Sequence, residues 1–128
     1  MAYMWQEDAY EVVLAPAASR VIVGLRRADQ EGLDQALAAE LRNGPNAAKE
    51  VRFDSSIDAD VMPSEAEHAV YTATPLSFCG YTALHRPMTP TELDRLAKQE
   101  DRATADEGYY VIDILPAETA FRRWPRPV

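Results

Sequence analysis

The chain has one cysteine, two histidines, five glycines and no long hydrophobic run, and each scarcity excludes something. A lone thiol, Cys79, cannot close an internal disulfide, so this is not a disulfide-stapled scaffold, and a reducing cytoplasm is its expected location. No apolar stretch approaches the roughly 20 residues that a membrane-spanning helix needs. The first eight residues, Met1 to Asp8, lack a basic segment followed by an apolar one, so no signal peptide is expected. No HxxxH, CxxC or HxH spacing is present, and neither a metal site nor a cofactor is expected. Ser77 lacks a G-x-S-x-G frame. Bases are also few: 13 against 21 acids, for a net charge of −8. Such a domain is repelled at long range by nucleic acid and by anionic membranes unless its bases cluster. They do so partly at the C-terminus, where Arg122, Arg123 and Arg126 face one acid, Glu118. The opposite extreme is the stretch from Asp54 to Glu67, with five acids and no base, which reads as a solvated acidic loop.

What is present fits one globular domain over residues 1–128, with 47% hydrophobic and 27% charged residues around a single core. Residues 1–8 and 122–128 read as loose or docking tails. The most structured stretch is Gly108-Tyr109-Tyr110-Val111-Ile112-Asp113-Ile114-Leu115, the longest run of β-branched and aromatic residues, opened by glycine and closed by Pro116. Strict alternation would put Tyr110, Ile112 and Ile114 on one face and Tyr109, Val111, Asp113 and Leu115 on the other. Both faces are mostly apolar, which predicts a central strand covered on two sides.

The rest reads as material packed against that strand. Tyr10 to Leu14 alternates as a strand. Pro16 suits a first helical turn, and Ala18, Val21, Ile22 and Leu25 recur at helical spacing over Ala17–Arg27, with Gly24 as a place where another element could approach. Asp29 is placed to cap a second helix, Gln30–Leu41, whose stripe is Leu33, Ala36, Leu37 and Leu41. The short link between the two helices predicts an αα-hairpin. Glu50–Phe53, His68–Thr74 and Phe78–His85 read as strands, the last two forming a hairpin. Thr89-Pro90-Thr91-Glu92 is a capping box that opens a helix running to about Asp101. The expected fold is therefore α+β: an N-terminal strand, an αα-hairpin on a mainly antiparallel four- to five-stranded sheet, and one extra helix inserted before the last strand. Val12, Leu14, Val21, Leu25, Leu33, Leu37, Val51, Phe53, Ile112 and Ile114 are expected in one core.

This order of elements resembles the RelE/ParE superfamily, the toxins of bacterial toxin–antitoxin pairs. The residues that carry the likeness are Tyr10-Glu11-Val12-Val13-Leu14-Ala15-Pro16-Ala17-Ala18, the helical hairpin, the Gly80-Tyr81 strand leading to His85-Arg86, and Val111-Ile112-Asp113-Ile114. The resemblance implies a protein partner of antitoxin type and, for an active member, ribosome-dependent cleavage of RNA. Such chemistry needs a proton acceptor for the 2′-hydroxyl, a cation on the phosphorane and a proton for the leaving oxygen. Carried onto this sequence, the catalytic candidates are His85, Arg86, Tyr81 and Arg52, with Arg122, Arg123 and Trp124 as binding residues. The chain departs from the family where a basic residue often follows the Gly-Tyr pair, since Thr82 stands there. The helix inserted between Pro87 and Glu107 is a second departure. Thr82 and the charge of −8 favour a different reading: a non-catalytic acidic α+β interaction module, antitoxin-like or immunity-like, that inhibits a protein partner.

Plainer roles stand beside these. His85 would be a half-exposed residue near a strand end, with Arg86 just past that end and paired to a neighbouring acid. His68 could come near His85 across the hairpin. Cys79 would be an inert buried thiol in mid-strand. Asp113 interrupts an apolar strand and needs a partner, Arg122 or Arg86. Trp124-Pro125-Arg126-Pro127 would be an extended tail, disordered or docked.

Overall fold

The computed structural model describes residues 10–42, 49–51, 58, 61, 65, 69–78 and 80–123, with the backbone alone at 49 and 121–123. The expectations placed on Arg52, Phe53, His68, Cys79 and Trp124, and those on the tail residues 1–8 and 124–128, lie outside the described residues. The chain runs β1 (Glu11–Leu14), α1 (Pro16–Val23), α2 (Arg27–Glu40), β2 (Lys49–Val51), β3 (Tyr71–Pro75), β4 (Tyr81–Pro87), α3 (Pro90–Glu100), β5 (Gly108–Pro116) and α4 (Ala117–Arg123). The five strands form one sheet in the order β1-β5-β4-β3-β2. β1 runs parallel to β5, and the other pairs are antiparallel. The fold is α+β, and β5 lies inside the sheet, between β1 and β4, as its apolar faces require.

Ala15 keeps extended dihedrals and Pro16 takes the first helical position, so β1 turns straight into α1. The helix stops at Val23, four residues short of the expected Arg27. Gly24 is the residue past its end rather than a contact point, and the Gln30 side-chain amide donates to the Leu25 carbonyl at 3.2 Å. α2 therefore begins three residues earlier than expected. Arg26 holds the cap position without a side-chain cap, and Asp29 acts from inside the first turn, where a carboxylate favours the positive end of the helix. The close approach occurs at Gly32 instead: a Cβ there would lie 2.5 Å from the Phe78 ring. Tyr10 ties the start of the sheet to the end of α2, its hydroxyl donating to the Leu37 carbonyl at 2.9 Å and accepting the Leu41 amide at 3.1 Å. Between β3 and β4 the chain turns through Gly80 at φ +67°, a conformation glycine adopts freely.

The alternation expected for β5 fails at one point. Leu84 of β4 stands opposite Asp113, but the next residue, His85, stands opposite Val111. Ile112 is the additional residue of a β-bulge, and alternation restarts beyond it. Val111 and Ile114 consequently share the face under α1 and α2, packed with Ala18, Ile22, Leu33, Leu37 and Ala83. Ile112 packs on the opposite face with Val51, Tyr71, Ala73, Leu84 and Ala120. The single core expected from the sequence is two cores, one on each face, because a central sheet separates them. A further element, α4, was not expected: after Pro116 the chain turns into a helix that takes in Arg122 and Arg123 of the stretch read as a tail, with Ala120 fully buried and the Ala117 amide donating to the Gly80 carbonyl.

The capping box is formed. Thr89 Oγ1 accepts the Glu92 amide at 3.1 Å, and the Glu92 carboxylate accepts the Thr89 amide at 2.9 Å. Yet no residue of α3 is buried; Leu93, Leu96 and Ala97 are half-covered. Thr89→Ala should lower stability by about 1 kcal/mol in urea titration, the usual effect of losing a cap. A midpoint unchanged by the substitution would mean that the cap contributes nothing to folding.

Candidate functional site

β4 presents His85 and Arg86 to opposite faces, so these neighbours in sequence occupy separate environments. Both lie within the strand rather than at or beyond its end, and both are buried, at 3% and 1% exposure. Arg86 is enclosed on the face away from the helical hairpin. Its Nε donates to Asp58 Oδ2 at 2.6 Å, and its two terminal nitrogens donate to the Glu92 carboxylate at 2.8 and 3.0 Å. The guanidinium lies 4.7 Å from the centre of the Tyr110 ring. Tyr71 donates its hydroxyl to the same Asp58 oxygen at 2.9 Å. Burial works against the charge on Arg86, but the hydrogen bonds and charges of Glu92 and Asp58 outweigh it and hold the pKa above the usual arginine value. Burial likewise opposes ionisation of Glu92, and the bonds from Arg86 and the Thr89 amide overcome it, so its carboxyl lies below the usual range. Burial first, then the Asp58 bond, pushes the Tyr71 phenol up.

Asp58 is the member of this network that sequence reasoning missed. It belongs to the acidic stretch expected to be a solvated loop, yet it is 3% exposed. Composition marks the run as acidic but cannot say which of five carboxylates turns inward to meet a buried cation.

His85 lies on the hairpin side. Its Nε2 is 2.8 Å from Thr74 Oγ1, and its ring meets the Tyr109 ring edge-on, with centroids 5.4 Å apart. The Nδ1 atom is buried without a hydrogen-bond partner. Burial alone depresses the pKa to about 4, so the imidazole is neutral at pH 7. Tyr81 shares this face but packs into the helical core four residues along the strand, about 13 Å from His85 at the usual strand rise. Thr82, the position where the resemblance implies a cation, is 0% exposed, and its hydroxyl has no partner. A charge there would be enclosed by protein.

The structure therefore brings Tyr81 and His85 onto one face and puts Arg86 on the other, bound to two acids. Arg122 and Arg123 end α4, where only the backbone is described. Of the two arginines expected to pair with Asp113, Arg86 is engaged elsewhere and the side chain of Arg122 lies outside the described residues; the Asp113 carboxylate accepts the Ile114 amide at 2.8 Å beside the bulge. Among the described residues, no group of three His, Cys, Asp or Glu side chains could hold a metal ion. No described helix is long and apolar enough to cross a membrane. Compared with models of known protein families, with curated protein sequences and with solved structures, the chain matches none.

Two outcomes follow. Asp58→Ala removes one partner of a buried cation and should destabilise the protein by about 3 kcal/mol, the lower end for such a loss because Glu92 remains; a denaturation midpoint within error of wild type would contradict the enclosed network. Burial lowers the His85 pKa to about 4 in the folded protein from the ordinary histidine value of 6.5, so between those values the unfolded chain binds the extra proton. Its contribution should therefore be present above pH 6.5 and decline as pH falls, by about 2 kcal/mol between pH 7 and pH 5. Urea titrations at the two pH values should show this slope in the wild type and a flatter one in His85→Gln.

Proposed function

We propose that the chain is a protein-binding α+β module on the RelE/ParE plan, one that acts by capturing a partner rather than by cutting RNA. The observation that carries this reading is the condition of Arg86. A guanidinium that stabilises a phosphorane must reach the phosphate, and this one is enclosed with Asp58 and Glu92 already on its donors. His85, on the far side of the sheet, is neutral and cannot deliver a proton to a leaving oxygen near pH 7. Thr82 removes the third cationic position.

The plan itself is supported by the order of elements, a strand, a helical hairpin and an antiparallel run that ends beside the first strand. Partner binding is supported by the surface. Val70 is 52% exposed beside a pocket of about 310 Å³ whose described lining is largely apolar and includes Val61, Ala69, Pro87, Met88 and Pro90. An apolar patch rimmed by charge is the usual form of a protein-interaction site. The net charge of −8 suits a basic partner.

Two measurements test this reading, and the first separates it from the toxin. The purified full chain, incubated with free RNA and with programmed ribosomes, should cleave neither. The product of the adjacent reading frame, co-expressed with it, should co-purify as a complex that Val70→Asp weakens without lowering stability. Ribosome-dependent cleavage or growth arrest relieved by His85→Ala and by Arg86→Ala would overturn the reading in favour of a nuclease.

A further inference from the structure

The two edges of the sheet are built differently. β2, at one edge, is three residues long and begins Lys49-Glu50; a short, charged edge strand resists pairing with another chain. β1, at the other edge, is Glu11-Val12-Val13-Leu14, with no lysine, no proline and no bulge in its ladder. Its one charge, on Glu11, is held by Arg102 at 2.6 Å and by the Ala105 amide at 2.7 Å. All four residues are partly buried, none fully. Among the described residues, β5 is the only strand that pairs with β1.

The backbone decides what this edge presents. The Glu11 amide donates to the Glu107 carbonyl at 3.0 Å, and the Ala15 amide donates to the Val111 carbonyl at 2.8 Å. In a parallel pair the amide and carbonyl of one residue point to the same side, and the side alternates along the strand. Val13 therefore bonds toward β5 with Glu11 and Ala15, while Val12 and Leu14 direct their amides and carbonyls out of the sheet. The Val12 and Leu14 side chains pack under the helical hairpin. Val13, on the other face, lines an open pocket of about 320 Å³ with Met88, Leu96 and Tyr110, among others.

This edge is complementary to itself. An antiparallel pairing of two copies about a two-fold axis at Val13 sets Val12 opposite Leu14 of the second copy, and Leu14 opposite its Val12. Those are the residues whose backbone groups point outward, so each pair exchanges two hydrogen bonds. Val13 meets its own equivalent, and Glu11 falls opposite Ala15. Apolar side chains then meet on both faces, and no like charges stand across from one another.

We propose that β1 is a self-association edge, through which two copies pair antiparallel and join their sheets into one. The contact is small, in the range of transient complexes below about 1,200 Å², so the dimer forms and dissociates with concentration. Each copy carries −8, and added salt strengthens the dimer by screening that repulsion. The edge does not involve Val70, and it stands independently of the partner-binding reading.

The test is amide hydrogen exchange of the full chain by NMR across a dilution series, with sedimentation velocity over the same range. A monomer–dimer equilibrium is expected. The Val12 and Leu14 amides should be protected about tenfold in a sample nine-tenths dimeric and lose that protection on dilution. The Glu11, Val13 and Ala15 amides, directed to β5, should not change. Val13→Lys and Val13→Glu each set like charges opposite one another and should abolish the dimer, and an equimolar mixture of the two variants should restore it as a heterodimer. A wild-type chain that stays monomeric to millimolar concentration would overturn the proposal. Protection of Val12 and Leu14 at every dilution would mean that the chain covers its own edge, and would overturn it equally. A dimer that leaves these two amides unprotected, or that persists in either charged variant, would place the interface elsewhere and also overturn it.

Discussion

A guanidinium that is 1% exposed must find its counter-charges inside the protein, and most of one face of this molecule is arranged around meeting that demand. The two carboxylates come from unrelated parts of the chain: Asp58 from an acidic stretch, Glu92 from the helix inserted before the last strand. Tyr71 and Tyr110 supply a hydroxyl and a ring from β3 and β5. Against the desolvation of three charges the net stabilisation from such a group is small, but removing one member leaves a buried charge unmatched. The segments are therefore placed together or not at all. α3 shows the consequence most directly. Having no buried residue, it relies on its two ends, where Glu92 meets Arg86 and Arg102, just past the helix, meets Glu11 at 2.6 Å.

The bulge at Ile112 makes the two-faced arrangement possible. Without an extra residue, Val111 and Ile114 would lie on opposite faces and one of the two cores would lose a large side chain. The insertion allows β5 to send Tyr109, Val111 and Ile114 toward the helical hairpin while Tyr110, Ile112 and Leu115 cover the other side. It also falls where His85 and Arg86 pair with β5. The imidazole therefore comes beside Tyr109, and the guanidinium beside Tyr110.

The features legible in the sequence share one property: each rests on a few neighbouring residues. The capping box at Thr89 and Glu92, the Pro16 helix start, the stripe Leu33, Ala36 and Leu37, and the two-faced apolar strand are local patterns, and local physics decides them. The features that were not legible depend on distant contacts. Gly32 differs from Gly24 only because Phe78 lies on it, 46 positions later. Asp58 is buried because Arg86, 28 positions later, faces it. The bulge leaves no mark in a run of apolar residues, since shifting Ile112 exchanges one hydrophobic face for another. Of the candidate site, the sequence identified His85 and Arg86 as unusual, and it did so for the wrong environment: both were expected near an open strand end, and both are interior. A pattern of alternation cannot show burial when helices and loops cover both faces.

The distribution of charge then limits what the surface can do. The cations nearest the sheet are engaged: Arg86 with Asp58 and Glu92, Arg102 with Glu11 and Glu100, Arg42 with Glu107. Exposed pairs such as Arg27 with Glu31 and Lys98 with Asp94 bring their own compensating acids. Each such pair is neutral at a distance, so the field of the molecule is set by acids in excess, and the formal charge of −8 is a fair measure of its sign. Approach to a polyanion is slowed by that field at physiological ionic strength, where screening acts over about 8 Å, and approach to a basic protein surface is accelerated. Only a cluster of free cations could reverse the preference locally. On β4, where such a cluster would be most useful, the cation is already neutralised from within.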